Sequence, residues 1–566
     1  MNASNTPLYF NERTLRNDLE GDLRGCVLFA QVSILPNRAS RWPDDVQPRL
    51  VARRATLVMF RPETDNGPVP NSIELKVGRE SMWRFSVQMA PPEQLPPVAE
   101  RDTDAEYGRI IYARDLWSAV LPGHLIIPGN LLEFDVDGRT GTYRDMDVGA
   151  PSELLLHTID IGMLTPHRGR FIEHFGDEMV RQYFQTLPCS RLIVNRYEPI
   201  DFHTVELADG TVYRDHSAQK GEWHGGDLRE KIGKQLVSLG INNANLGIHS
   251  SPGSGENGLN KHFVAAQITA HTSVGNYING RVVHGGSGGG SMVTLEAITG
   301  NEFSHELGHN YGLGHHPGGF AGAVHRSAVS INSAWGWDSD ANVFIPNFRK
   351  NRSGEDTCYG DQCQAPFHGH SFGRDSMGDG APYYPNTRQF TQYTPYSLET
   401  IQRFLEGMAV FSPTSSSGFR KWSEEAQAMV EWREEGEPDD DRNVTRKPDQ
   451  QGVPVTTILG YYDPDGERSG IIYPSLHAAY GMTYEGDSDT DAIASRCYAV
   501  VSGKNRAMLY FILRSKRLNP GELNRLHLNI PESFEPMHIA VYCDGIQNAS
   551  GTIDPPKGTA RVTIMP

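Results

Sequence analysis

His305, Glu306, His309, Gly312 and His315 stand in the order H-E-x-x-H-x-x-G-x-x-H. His305 and His309 are four residues apart, so on a helix both imidazoles leave one face and can bind a single Zn²⁺. Glu306 sits beside them, within reach of a water at that metal, as a general base. Gly312 accepts the positive φ needed to leave the helix sharply. That turn swings His315 back as a third ligand. Three protein ligands leave a fourth position open, which is the arrangement of a catalytic rather than a structural zinc. The chemistry implied is peptide-bond hydrolysis. An ordinary amphipathic helix with surface histidines has no need of two internal glycines, each costing about 1 kcal/mol against alanine.

The chain of 566 residues is too long for one core, so several domains are expected. Hydrophobic residues make up 38% and charged residues 21%, as in a soluble globular protein. The counts of 58 Gly and 36 Pro point to many turns and a large β contribution. A net charge of −17 argues against nucleic acid and anionic membrane as partners, because like charges repel. No run approaches the ~18 apolar residues of a membrane span. No basic segment followed by an apolar one opens the chain, so no signal peptide is visible in it. Among the cysteines, Cys358 and Cys363 are placed to close a small loop, and Cys497 and Cys543 to pair in strand-like surroundings. Buried free thiols are the alternative in both cases.

The elements that must position these residues follow from periodicity. Residues 1–150 read as a β-sandwich-like domain, with strands over 27–35, 55–60, 83–89, 109–112, 124–127 and 131–136. From 151 the texture changes. Helices are expected over 171–184 and 228–239, strands over 192–195 and 263–268. The Gly-rich stretch 284–291 lacks the Gly-Lys-Ser/Thr ending of a phosphate loop. It is expected either to lie along a substrate backbone or to be a surface loop. The histidine helix begins near Thr294 or Thr299 and ends at Gly312. Residues 317–373 look irregular. A helix over 397–408 follows, opened by Ser397 as N-cap. The catalytic domain is thus placed at 151–412, a linker at 413–453 and a C-terminal β-rich domain at 454–566.

The long histidine motif with a methionine downstream resembles the metzincins. In that clan a methionine in a tight turn forms a floor under the zinc ligands, and Met377 in Ser376-Met377-Gly378 matches it. The motif residues, with residues 156–166, Arg191 to Asn195, Tyr197-Glu198-Pro199 and Glu222-Trp223-His224-Gly225-Gly226, resemble the bacterial secreted mucin-cleaving zinc metalloproteases, the StcE-like and dictomallein family. The resemblance covers about 150–415 well and the flanking regions loosely. It implies an α+β fold, with a metzincin-type protease domain between N-terminal and C-terminal mostly-β domains. It also implies one catalytic Zn²⁺, a secreted location and a mucin-type O-glycosylated protein substrate. Trp223 and His224 would then contact substrate, since indole packs on the apolar face of a sugar and imidazole bonds its hydroxyls. Relatives carry a tyrosine just after the third zinc histidine, where this chain has His316. His316 is the expected donor to the oxyanion, with Tyr383 and Tyr384 as alternatives.

The function expected is a monomeric, secreted zinc endopeptidase. Two other readings compete with it. One is an endopeptidase acting on unglycosylated protein. The other is a glycan-binding adhesin with a vestigial zinc site, which has no need of the Glu306 carboxylate.

Overall fold

A long strand buried on both sides organises the molecule. The computed structural model describes all residues except 1–7, 10, 13–15, 37–45, 64–69, 81, 100–109, 254–264, 331–332, 351–353, 383–387 and 434–445. Strand Glu153–Met163 lies at the middle of a sheet ordered Ser287–Gly289, Met292–Thr294, Gln267–Tyr277, Glu153–Met163, Arg191–Arg196 and Arg561–Met565. Its pairings with Gln267–Tyr277 and Arg191–Arg196 are parallel, while the two ends of the sheet pair antiparallel. Burial on both faces fits its sequence, ELLLHTIDIGM, whose apolar residues point to both sides and whose buried His157 and Asp160 are hydrogen-bonded.

Alternation along that strand sorts its side chains. Leu154 and Leu156 point into a core shared with Phe303 and Leu307 of the histidine helix and with Leu398, Ile401 and Leu405 of helix Pro395–Glu406. Ile159, Ile161 and Met163 point the other way. There they meet Leu228, Ile232 and Leu236 of the wide-turned π-helix Leu228–Ser238, and also Val455, Leu459 and Leu476 from the C-terminal part of the chain. The central sheet and the C-terminal strands therefore share a core. The final strand, Arg561–Met565, also returns to pair with Arg191–Arg196.

Two antiparallel sheets face each other in the N-terminal part. Val27, Phe29, Val58 and Phe60 of one pack against Leu75, Val77, Leu132 and Phe134 of the other. The outer face of the first sheet is covered by residues from 328–372, with Trp335, Trp337, Phe344 and Phe348 packed on Leu28, Met59 and Tyr112. The chain is mostly β. Among the described residues no helix is long and apolar enough to cross a membrane.

Several expected elements differ. Residues 124–127 form no strand; Gly123–Leu125 is a short 3-10 turn. The helix expected over 171–184 is two, Arg170–His174 and Asp177–Phe184, broken at Phe175 and Gly176. The later helix starts at Pro395, and its cap is Thr394 rather than Ser397, because proline suits the first helical position and the Thr394 hydroxyl accepts the Ser397 N–H. The strand expected at 263–268 begins at Gln267, and residues 263 and 264 lie outside the described residues. The region 317–373 is less irregular than its sequence suggests. Among its described residues it holds short antiparallel pairings, Gly336–Asp338 with Val343–Ile345, Phe348–Lys350 with His370–Phe372, and Thr357–Tyr359 with Gln362–Gln364. Cys358 and Cys363 are joined by a disulfide across the last of these. Cys497 and Cys543 face each other in register on neighbouring strands, but both are buried free thiols.

Candidate active site

The histidine helix spans Gly300–Asn310, with Thr299 as an extended N-cap and Tyr311 as C-cap. Gly312 follows at φ 84, the left-handed conformation that releases the chain from the helix. The Leu313 N–H returns to the Gly308 carbonyl at 3.2 Å. His315 is thereby brought over the helix. The ligand atoms of His305, His309 and His315 all lie within 4.8 Å of one another.

Tautomers are set by the backbone. His305 Nδ1 lies 2.9 Å from the Ser376 carbonyl, and His309 Nδ1 lies 2.9 Å from the Leu313 carbonyl. A carbonyl only accepts, so each Nδ1 carries the proton and each Nε2 lone pair is left free. Burial holds both imidazoles below their ordinary pKa, and repulsion from the neighbouring imidazoles adds to it. Both are therefore neutral near pH 7, as metal binding requires.

Glu306 is buried, and burial pushes its carboxyl up to about 7, with the like charge of Glu302 adding and Arg229 opposing. A carboxyl poised near neutrality suits proton transfer. Strand Ser287–Gly289 runs directly against the helix here. A Cβ on Gly288 would lie 1.9 Å from the Glu306 carbonyl oxygen, so only glycine permits the approach. The Gly-rich stretch is thus the antiparallel edge strand of the central sheet, beside the histidines.

Met377 is buried in the turn Ser376–Gly378, whose N-cap Asp375 accepts from the Met377 and Thr394 N–H groups. Burial raises the Asp375 carboxyl to about 6 against those hydrogen bonds. A Cβ on Gly308 would meet the Met377 sulfur at 2.4 Å, so the methionine packs straight under the helix. His316 follows the third histidine at φ 48. Its N–H donates to the Met377 carbonyl, and its ring stacks on Tyr359. Tyr383 and Tyr384 lie outside the described residues.

Trp223 and His224 are carried on a tight turn closed by Glu222 and Gly225. Trp223 is 41% exposed, and its Nε1–H donates to Glu296 at 2.7 Å. The turn is fixed from the edge-strand side. Gly285 N–H donates to the Trp223 carbonyl, and His284 Nδ1–H to the Glu222 carbonyl. Glu302, one turn before Glu306, accepts from the N–H groups of Gly286, Glu296 and Ala297. Tyr359, Glu296 and Glu302 escaped the sequence reading. Glu302 had a signal, since Thr299-x-x-Glu302 has capping-box spacing, but its carboxylate serves the edge strand and the 296–297 backbone.

Three converging imidazoles with a buried carboxylate beside them define the site of a metal-dependent hydrolase. Residues 106–410 match the family model described as Peptidase M66, and the chain belongs to that family. Residues 446–543 match a second model, the ToxR activated gene A lipoprotein domain. Metalloprotease StcE of Escherichia coli O157:H7 is 40% identical over 537 residues, covering 78% of this chain and 59% of that protein. A ToxR-activated gene A lipoprotein of Vibrio cholerae is 37% identical over 489 residues, with 84% and 46% covered. Dictomallein of Burkholderia pseudomallei is 24% identical over 465 residues, with 79% and 65% covered. The chain therefore spans about half to two thirds of the length of these curated relatives. The resemblance drawn from the motif residues is borne out. Family and relatives support a metalloprotease, and the three-histidine cluster is where its metal could sit.

Proposed function

We propose that this chain is a secreted, monomeric zinc endopeptidase that cleaves mucin-type O-glycosylated proteins. The observation that carries the reading is the convergence of His305, His309 and His315 with Glu306 buried beside them. The donor set fits zinc, since three imidazoles, two of them with Nδ1–H held by backbone carbonyls, suit a borderline-soft, four-coordinate ion. When bound, zinc supplies Lewis acidity toward the scissile carbonyl and makes a water acidic enough to attack near neutral pH. Glu306 takes the proton of the attacking water and later hands it to the leaving amine. His316 donates to the developing oxyanion. Met377 forms the floor under His305 and His309. The edge strand Ser287–Gly289 offers backbone groups to an extended substrate. Trp223 gives its indole face to a sugar, and His224 bonds its hydroxyls.

In this reading residues 151–412 are a metzincin-type catalytic unit. Residues 1–150 and 454–566 are mostly-β flanking regions, the second of which shares a core with this unit and lends strand Arg561–Met565 to its sheet, with 413–453 as linker. Nucleic acid is not a partner.

The test is incubation of the zinc-loaded protein with a mucin-domain glycoprotein, native and de-O-glycosylated, with a chelator control. Chelator-sensitive cleavage of only the glycosylated form is expected. Equal cleavage of both forms would remove the glycan requirement, and no cleavage of either would sink the reading. Glu306→Gln is expected to keep zinc while lowering kcat by about a thousandfold.

A further inference from the structure

The third histidine is the ligand least supported by regular structure. His305 and His309 ride on a helix, whereas His315 lies on irregular chain beyond it. Gly314 precedes it, and Gly318 and Gly319 follow close behind at φ 67 and 60. Glycines leave the unfolded and loosened states many conformations, so something outside this segment must hold it.

His316 is where that restraint acts. Its φ of 48 lies in the left-handed region that a residue with a Cβ avoids, and such outliers persist only where surroundings impose them. Two contacts impose this one. The His316 N–H donates to the Met377 carbonyl at 2.9 Å. Its ring lies on Tyr359, with centroids 5.0 Å apart and planes at 30°. Its Nδ1 is close to Gly378, where an added Cβ would stand 3.4 Å away. The imidazole is thus held between the methionine turn and the tyrosine ring.

Tyr359 is itself held by covalent means. Its hairpin has three residues in each strand, too few to persist alone in water. Cys358 and Cys363 are direct partners in that hairpin, and the disulfide joins them. Arg374, just before the methionine turn, donates to the Cys358 carbonyl at 3.0 Å and ties the hairpin to the same turn.

We infer that Tyr359 is a positioning residue for the metal site, and that the disulfide hairpin acts through Tyr359 and His316 to fix His315. The inference rests on the reading of His305, His309 and His315 as zinc ligands. It makes full metal affinity conditional on an oxidised Cys358–Cys363 pair.

The experiment is competition titration of Zn²⁺ into the metal-free full chain against a chromophoric chelator, with circular dichroism on every variant. Wild type comes first. If it fails to bind one zinc tightly, the ligand reading itself is wrong and the inference goes with it. If it binds, Tyr359→Phe is expected to match it, because the ring stack remains. Tyr359→Ala and the double variant Cys358→Ser/Cys363→Ser are each expected to bind about tenfold more weakly. His316→Ala combined with Tyr359→Ala is expected to be no weaker than the worse single variant, since both remove one contact. Should Tyr359→Ala fold poorly, Tyr359→Leu keeps the bulk and removes the stack, with the same loss expected. Wild-type affinity in the folded Ala or Leu variant, or full additivity in the double variant, would overturn the inference.

Discussion

The two sides of the histidine cluster are built by different means. The edge-strand side consists of sheet backbone, with Ser287–Gly289 paired to Met292–Thr294, and that strand to Gln267–Tyr277. Its accuracy comes from ladder hydrogen bonds and from Gly288, which brings the strand onto the helix backbone. The opposite side, within residues 317–379, is built largely from short two-stranded pairings among its described residues. Its accuracy comes from buried aromatics, Trp335 and Trp337 among them, in one core with Leu28 and Met59 of the N-terminal sheet, and from one disulfide. The histidines divide accordingly. His305 and His309 belong to the helix against the sheet, while His315 leads into the other side. A site assembled this way tolerates damage differently on its two sides.

The largest expected effect is on the aromatic side. Trp335 is fully buried, so Trp335→Ala is expected to cost about 3–5 kcal/mol. Hydrogen exchange should show the loss of protection centred on 317–373 with strand Gln267–Tyr277 still protected; uniform loss would erase the contrast between the sides. Next comes Gly288→Ala, which forces a Cβ into the Glu306 carbonyl and is expected to cost about 1–3 kcal/mol by overpacking. Here activity should suffer more than in a variant of equal stability on the other side, measured as kcat/KM at matched ΔTm.

Acid should weaken both sides. Burial lowers His157, on the central strand of the sheet, to about 4, and lowers His325, in the 317–379 side, to about 3. Burial also lowers His249 and His527 to about 3, with nearby positive charge adding. An unfolded histidine regains a value near 6.5, so below that pH the unfolded state binds more protons. Stability is therefore full above about pH 6.5 and falls as pH drops toward 4, by about 1.4 kcal/mol per unit for each such histidine. A Tm that stayed flat from pH 7 to 5 would contradict this. The smallest effect expected is that of Glu296→Ala. It frees the Trp223 indole and should raise KM for the glycosylated substrate about fivefold while leaving a bare peptide unchanged. An equal rise for both substrates would separate Trp223 from glycan recognition.

The sequence disclosed the site's centre because that centre is local. A spacing of four puts His305 and His309 on one helical face, and Gly312 supplies the turn that returns His315. Apolar runs also disclosed strands at 192–195 and near Gln267, but not the central strand Glu153–Met163 or the order of the sheet. The 171–184 helix was misread because its apolar residues keep one face across the break at Gly176. The hairpins of 317–373 were not legible, since each strand is three residues long and carries no period to detect.

By itself, then, the sequence determined which imidazoles can meet and which carboxylate stands beside them, because helix geometry and glycine freedom act over a few residues. Only the tertiary structure decided that Tyr359 covers His316, that Glu296 holds Trp223, and that Arg561–Met565 completes the central sheet. Those contacts depend on which distant segments share a core, and no local spacing encodes that choice.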